Sequence, residues 1–145
     1  MVVVAIVAFS ATHPAAGADI KYTFAREFPM ATDREKSGAD LVVKNSGGLI
    51  PIEHFQEALV LSTRWFSRRG TPDIFYRVQG NRLDHPSLCI VQSLEDESLQ
   101  YAGCVSIEGK TFYKRLKHPS DIPDLLTVLN GRKHRYTWNG NQYSD

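Results

Sequence analysis

The sequence predicts an α+β domain in which one main helix packs on a twisted, mostly antiparallel sheet. Three observations carry that expectation. Phe55, Ala58, Leu59, Ser62, Trp65 and Phe66 recur at helical spacing between Pro51 and Gly70. After Gly70, short runs rich in aromatic and β-branched residues follow one another between turn signals. Near the end of the chain Asn139-Gly140 is a two-residue hairpin signal.

Residues 1–18 read as a secretion signal. Met1–Phe9 is an apolar run, Ser10–Gly17 is small and weakly polar, and Ala16-Gly17-Ala18 has the small-x-small pattern that a signal peptidase accepts. The run is shorter than the roughly 20 apolar residues that cross a bilayer. No Lys or Arg precedes it, so the signal is weak or truncated at its start. The alternative is a Val- and Ile-rich core strand of an intracellular domain. With the cut after Ala18, residues 19–145 make one domain, large enough to bury a core without many disulfides.

Lys21–Phe28 alternates and carries aromatics, as a first strand does. Pro29–Gly48 is polar; Leu41-Val42-Val43 makes a short second strand within it, and Gly47-Gly48 a turn. The main helix is Pro51–Arg69. Pro51 suits its first turn, Glu53 and Glu57 face the positive end of its dipole, and Arg64, Arg68 and Arg69 the negative end. Gly70 and Pro72 end it. Strands follow at Asp73–Gln79, Ser87–Leu94, Tyr101–Glu108 and Lys110–Leu116, the last two joined by a tight turn at Gly109. Pro119–Leu129 holds a short helix capped by Ser120, Arg132–Trp138 is the last long strand, and Asn141–Asp145 a short return.

The net charge is +1, with 23% charged and 42% hydrophobic residues, so no global charge draws the chain to nucleic acid or membrane. The distribution is uneven. Lys110–Asp145 holds seven Lys and Arg against Asp121, Asp124 and Asp145, which gives either a basic surface or a solvated strand face. Cys89 and Cys104 fall on neighbouring strands; an exported chain would pair them, and a cytosolic chain would keep two buried thiols. The histidines have no metal-ligand spacing, and no Gly-x-Ser-x-Gly elbow is present. No cofactor, metal or membrane is expected, and the chain is expected to be a monomer.

One helix followed by a meandering sheet resembles the microbial ribonuclease fold. With the signal segment, a mature domain of this size and two cysteines, the chain is similar to the ribonuclease-like secreted effectors of powdery mildew fungi. Those effectors carry an aromatic-x-Cys near the mature start. Tyr22-Thr23-Phe24 stands in that place, with Phe24 where the cysteine would be. Both cysteines are internal, so the usual bridge between the termini is ruled out.

The resemblance implies a secreted effector, non-catalytic or an active guanyl-type endoribonuclease, with a host protein or RNA as partner. RNA cleavage needs a base, an acid and a cation for the charged transition state. Glu108, His134 and Arg115 are the candidates, in that order of role. Arguing against turnover, His134 sits in a strand between Lys133 and Arg135, and Asp73–Gln79 has no His where the active family has one. Without turnover, RNA could still bind through Lys114, Arg132, Lys133 and Arg135 and stack on Tyr113, Tyr136 or Trp138. The competing role of those aromatics is sheet packing.

Overall fold

A computed structural model of the chain describes residues 19–28, 31–61, 65–66, 72–79, 85–116 and 122–145. Among the described residues the fold is mostly β, about 49% strand and 15% helix, which corrects the expected single helix on a single sheet and with it the ribonuclease-like layout. Among the described residues nine strands form two antiparallel sheets. One sheet has the order β2-β3-β4-β5, from Phe55–Val60, Ile74–Val78, Ser87–Ser93 and Leu99–Ser106. The other has the order β1-β6-β7-β8-β9, from Asp19–Thr23, Thr111–Arg115, Asp124–Leu129, Arg132–Trp138 and Tyr143–Ser144.

The helix, α1, is Asp33–Asn45, in the segment expected to be polar loop and short strand. Its start follows from Thr32, whose side chain accepts from the Glu35 N–H, with Asp33 and Glu35 in the first turn. Gly38, Ala39 and Val42 turn inward. Pro51, by contrast, opens only a single 3₁₀ turn, Ile52–His54, and the chain then extends as β2. The apolar stripe loses to pairing: β2 runs antiparallel to β3 on one side. On the other, Phe28 N donates to Gln56 O and Ala58 N to Arg26 O. Residues 62–64 and 67–69 of the expected helix lie outside the described residues, as do Gly70, residues 1–18 and residues 117–121. Asp124–Leu129, expected to be helical, is β7, hydrogen-bonded between β6 and β8.

Strand alternation divides the interior into two cores. Phe75, Leu88, Ile90 and Val105 point towards the second sheet and meet Phe112, Leu125, Tyr136 and Tyr143. Ile74, Tyr76, Val78, Cys89 and Val91 point the other way and meet Ala39 and Val42 of α1. The order is therefore helix, sheet, sheet. Buried Asp73 ties the layers, accepting from the backbone N–H groups of Trp65 (2.9 Å), Phe66 (3.2 Å) and Ser93 (2.9 Å).

The turn at Gly109 does not make the expected hairpin. It carries the chain from β5 in one sheet to β6 in the other, and β6 pairs with β1 and β7. Cys89 and Cys104 are bonded, directly opposite each other on β4 and β5, on the face that meets the helix. Beside them β5 bulges, with Ala102 and Gly103 set against Ile90; Gly103 takes φ +103° and lies against Tyr143 of β9.

Candidate functional site

The structure disperses the expected catalytic set. Glu108 follows β5, where its carboxylate accepts from the Asn130 N–H and its own N–H donates to Val128 O (3.0 Å). It closes the β7–β8 turn. Arg115 is at the other end of β6, its Nε 3.0 Å from Asp19 Oδ1. His134 Nε2 is 2.9 Å from Asp145 Oδ1. In register Arg115 faces Asp124 while His134 faces Thr127, three residues along β7, so the two lie on opposite faces of the sheet. No hydrogen bond or ion pair joins any two of the three.

The residues expected to bind RNA divide in the same way. Lys133 lies over the Tyr113 ring at 4.1 Å and bonds Asp19 Oδ2 at 2.6 Å; Arg135 Nε bonds Asp124 at 2.6 Å. These three belong to the outer face, where carboxylates neutralise the two cations. Lys114, Tyr136 and Trp138 belong to the inner face. Lys114 is buried over the Trp65 ring at 5.5 Å, and burial lowers its pKa. Tyr136 is buried and Trp138 packs on Phe66 (4.9 Å) and Tyr143 (5.3 Å), so both serve sheet packing. Arg132 is exposed and, with Asn130, Lys133 and His134, lines a hollow of about 570 Å³ beside the β7–β8 turn.

Sequence reasoning missed a tighter cluster. Glu57 of β2 faces Arg77 of β3 in register. Tyr76 and Val78 meet the helix, so Arg77 and its partner take the opposite face. Glu57 is only 5% exposed, with Oε1 2.8 Å from Lys110 Nζ and Oε2 3.8 Å from Arg77 Nη1. Arg77 in turn donates from Nε to Gly109 O (2.6 Å) and from Nη1 to Gln56 Oε1. These residues, with Glu27 and Phe28, line a hollow of about 340 Å³. A carboxylate between two cations can hold a polar ligand. The signal that would have exposed it is the hairpin register, hidden once Glu57 is assigned to a helix.

Among the described residues no group of three or more His, Cys, Asp or Glu is placed to hold a metal ion, and no helix is long and apolar enough to cross a membrane. The chain matches no protein-family model, no curated protein and no solved structure.

Proposed function

We propose that the chain is a secreted effector of a plant-infecting fungus that binds a host protein without turnover. The observation that carries the absence of turnover is the separate engagement of Glu108, Arg115 and His134 by Asn130, Asp19 and Asp145. Export is supported by the signal-like residues 1–18 and by the Cys89–Cys104 bond, which suits an oxidising compartment. Removal of residues 1–18 would leave every described strand whole, since the described strands lie within residues 19–144. A protein partner is favoured over RNA because Lys133 and Arg135 are paired with carboxylates, and Tyr136 and Trp138 are packed. RNA binding without cleavage is the second reading, supported by exposed Arg132 in the hollow by the β7–β8 turn.

Export from a eukaryotic secretory host followed by intact-mass analysis tests the first part. The expected product starts at Asp19 and gains about two daltons on reduction; retention at full length with free thiols overturns it. Incubation of that product with single-stranded RNA tests the second part. The expected result is no cleavage, and cleavage abolished by Glu108→Ala would establish the endoribonuclease instead. Binding to an identified host protein, reproduced with both partners purified, is the expected result for the partner. Retention of RNA lost in Arg132→Ala would select the second reading.

A further inference from the structure

The Glu57 hollow has unspent hydrogen-bonding capacity of both kinds. Glu57 Oε2 accepts no hydrogen bond although the side chain is more than nine-tenths buried. Buried polar atoms are nearly always satisfied, so an unpaired acceptor on a side chain that lines a hollow calls for a donor, to which a turn of the carboxylate would present it. Arg77 uses Nε on Gly109 and Nη1 on Gln56, and its Nη2 donates to no described residue. Lys110, on the Glu57 carboxylate, is 59% exposed and free to turn towards the hollow. Exposed Glu27 adds a second carboxylate at the rim.

We infer that this hollow binds a small zwitterion of the α-amino-acid class, with its ammonium on Glu57 and its carboxylate held by Arg77 and Lys110. Charge balance selects the class. The hollow holds two carboxylates, Glu27 and Glu57, and two cations, Arg77 and Lys110. A ligand of one sign leaves a half-buried charge uncompensated, whereas a zwitterion keeps every charge paired. The ligand's ammonium replaces that of Lys110 on Glu57, and Lys110 moves to the ligand's carboxylate. Arg77 is the fitting anchor, because a guanidinium presents planar donors to a carboxylate. A volume of about 340 Å³ is at the small end for ligand sites, which suits an amino acid rather than a nucleotide or a folded peptide.

The test is a titration of the isotope-labelled full chain followed by nuclear magnetic resonance. The probes are alanine and glutamate, with N-acetylalanine and alanine methyl ester each lacking one charge. The expected result is saturable shifts at Glu57, Arg77 and Lys110 with Kd of about 1 mM or below, at least tenfold weaker for each single-charge analogue. Lys110→Met, at an exposed position, is expected to fold and to weaken alanine binding about tenfold. Arg77→Gln is expected to abolish it. Absence of saturable shifts, or equal binding of the analogues, overturns the inference and leaves the cluster an internal ion-pair network. The outcome is independent of export and of the protein partner.

Discussion

Tyr76 reaches from β3 to lay its hydroxyl across α1 at Gly38. The hydroxyl donates to Glu35 O, and a Cβ added to Gly38 would lie 2.3 Å from it. This contact accounts for a glycine in mid-helix, where glycine costs about 1 kcal/mol relative to alanine. Burial, with Glu35 nearby, pushes the Tyr76 phenol far above its usual range, so it stays a donor.

Gly38→Ala is therefore expected to destabilise the fold by about 2 kcal/mol, as an overpacked core contact does, despite alanine's better helix propensity. Tyr76→Phe alone is expected to cost about 1 kcal/mol for the lost hydrogen bond. In the double variant the hydroxyl that blocks the methyl group is gone, so its loss should be smaller than the sum. Urea unfolding of all four proteins checks the cycle. Strict additivity would mean that α1 shifts away from β3 instead of clashing.

The Cys89–Cys104 bond closes a loop of sequence separation 15. By the chain-entropy estimate its removal costs about 3 kcal/mol. Thermal unfolding with and without a reducing agent should show a lower Tm for the reduced chain, and the Cys89→Ser/Cys104→Ser variant should match it without reductant. An unchanged Tm would mean that strand pairing by itself fixes β4 against β5.

Glu97 is in the β4–β5 turn with φ of 70°, a region that costs a non-glycine residue of order 1 kcal/mol. Its side chain is exposed, and the contact from Arg34 Nη1 goes to its backbone carbonyl (3.0 Å). Glu97→Gly is thus expected to stabilise the protein by about 0.5–1 kcal/mol, read as a higher urea midpoint. A lower midpoint would show that the carboxylate itself contributes.

Hydrogen bonds from Arg115 and then Lys133 hold the Asp19 carboxyl below its usual range. A folded value below the unfolded one gives stability that is full above the unfolded value, about pH 4. That stability is lost as the pH falls through the folded value. Asp19→Asn should be less stable than the parent at pH 6 and indistinguishable from it in strong acid, where the parent too has lost the charge pair. Parallel acid limbs for the two proteins would remove Asp19 as a source of acid sensitivity.

The strands were the legible part of this fold. Asp73–Gln79, Ser87–Leu94 and Arg132–Trp138 combine alternation with β-branched or aromatic residues, and the structure has strands there with ends shifted by at most a residue or so. The cysteine pair was legible as an open choice that the structure resolves to a bond. The helix was misplaced because periodicity is blind to pairing. FQEALV is a good helical string, yet its backbone is hydrogen-bonded to β3 on one side and to Arg26–Phe28 on the other. The true helix is polar and contains Gly38, so its stripe is faint. Its signal was Thr32-Asp33-Arg34-Glu35, the spacing of a capping box, although Glu35 here reaches Arg26 at 2.5 Å.

The two Asn-Gly pairs show why the site was harder to read than the strands. Asn130-Gly131 is the two-residue turn between β7 and β8, both residues at positive φ. Asn139-Gly140 instead begins a four-residue connection, in which Asn139 Oδ1 accepts from the N–H groups of Asn141 and Gln142 (2.9 Å each). A dipeptide marks a turn without fixing its length. Length sets register, and register decides that Glu57 meets Arg77 while Arg115 and His134 take opposite faces.

The pairing of β1 with β6 also bears on how the chain acquires its shape. Thr23 and Thr111, side by side in the sheet, are 88 residues apart in the chain. During synthesis β1 has no partner until β6, beyond β2, β3, β4 and β5 in the chain, has followed it. Closing so long a loop slows folding relative to hairpins such as β7–β8, which can zip as they appear. Until then both sides of Asp19–Thr23 are unpaired, and such open strands recruit other chains; after pairing, one side stays open as the sheet's edge. Slow maturation and early need for a chaperone therefore follow from which strand lies beside which.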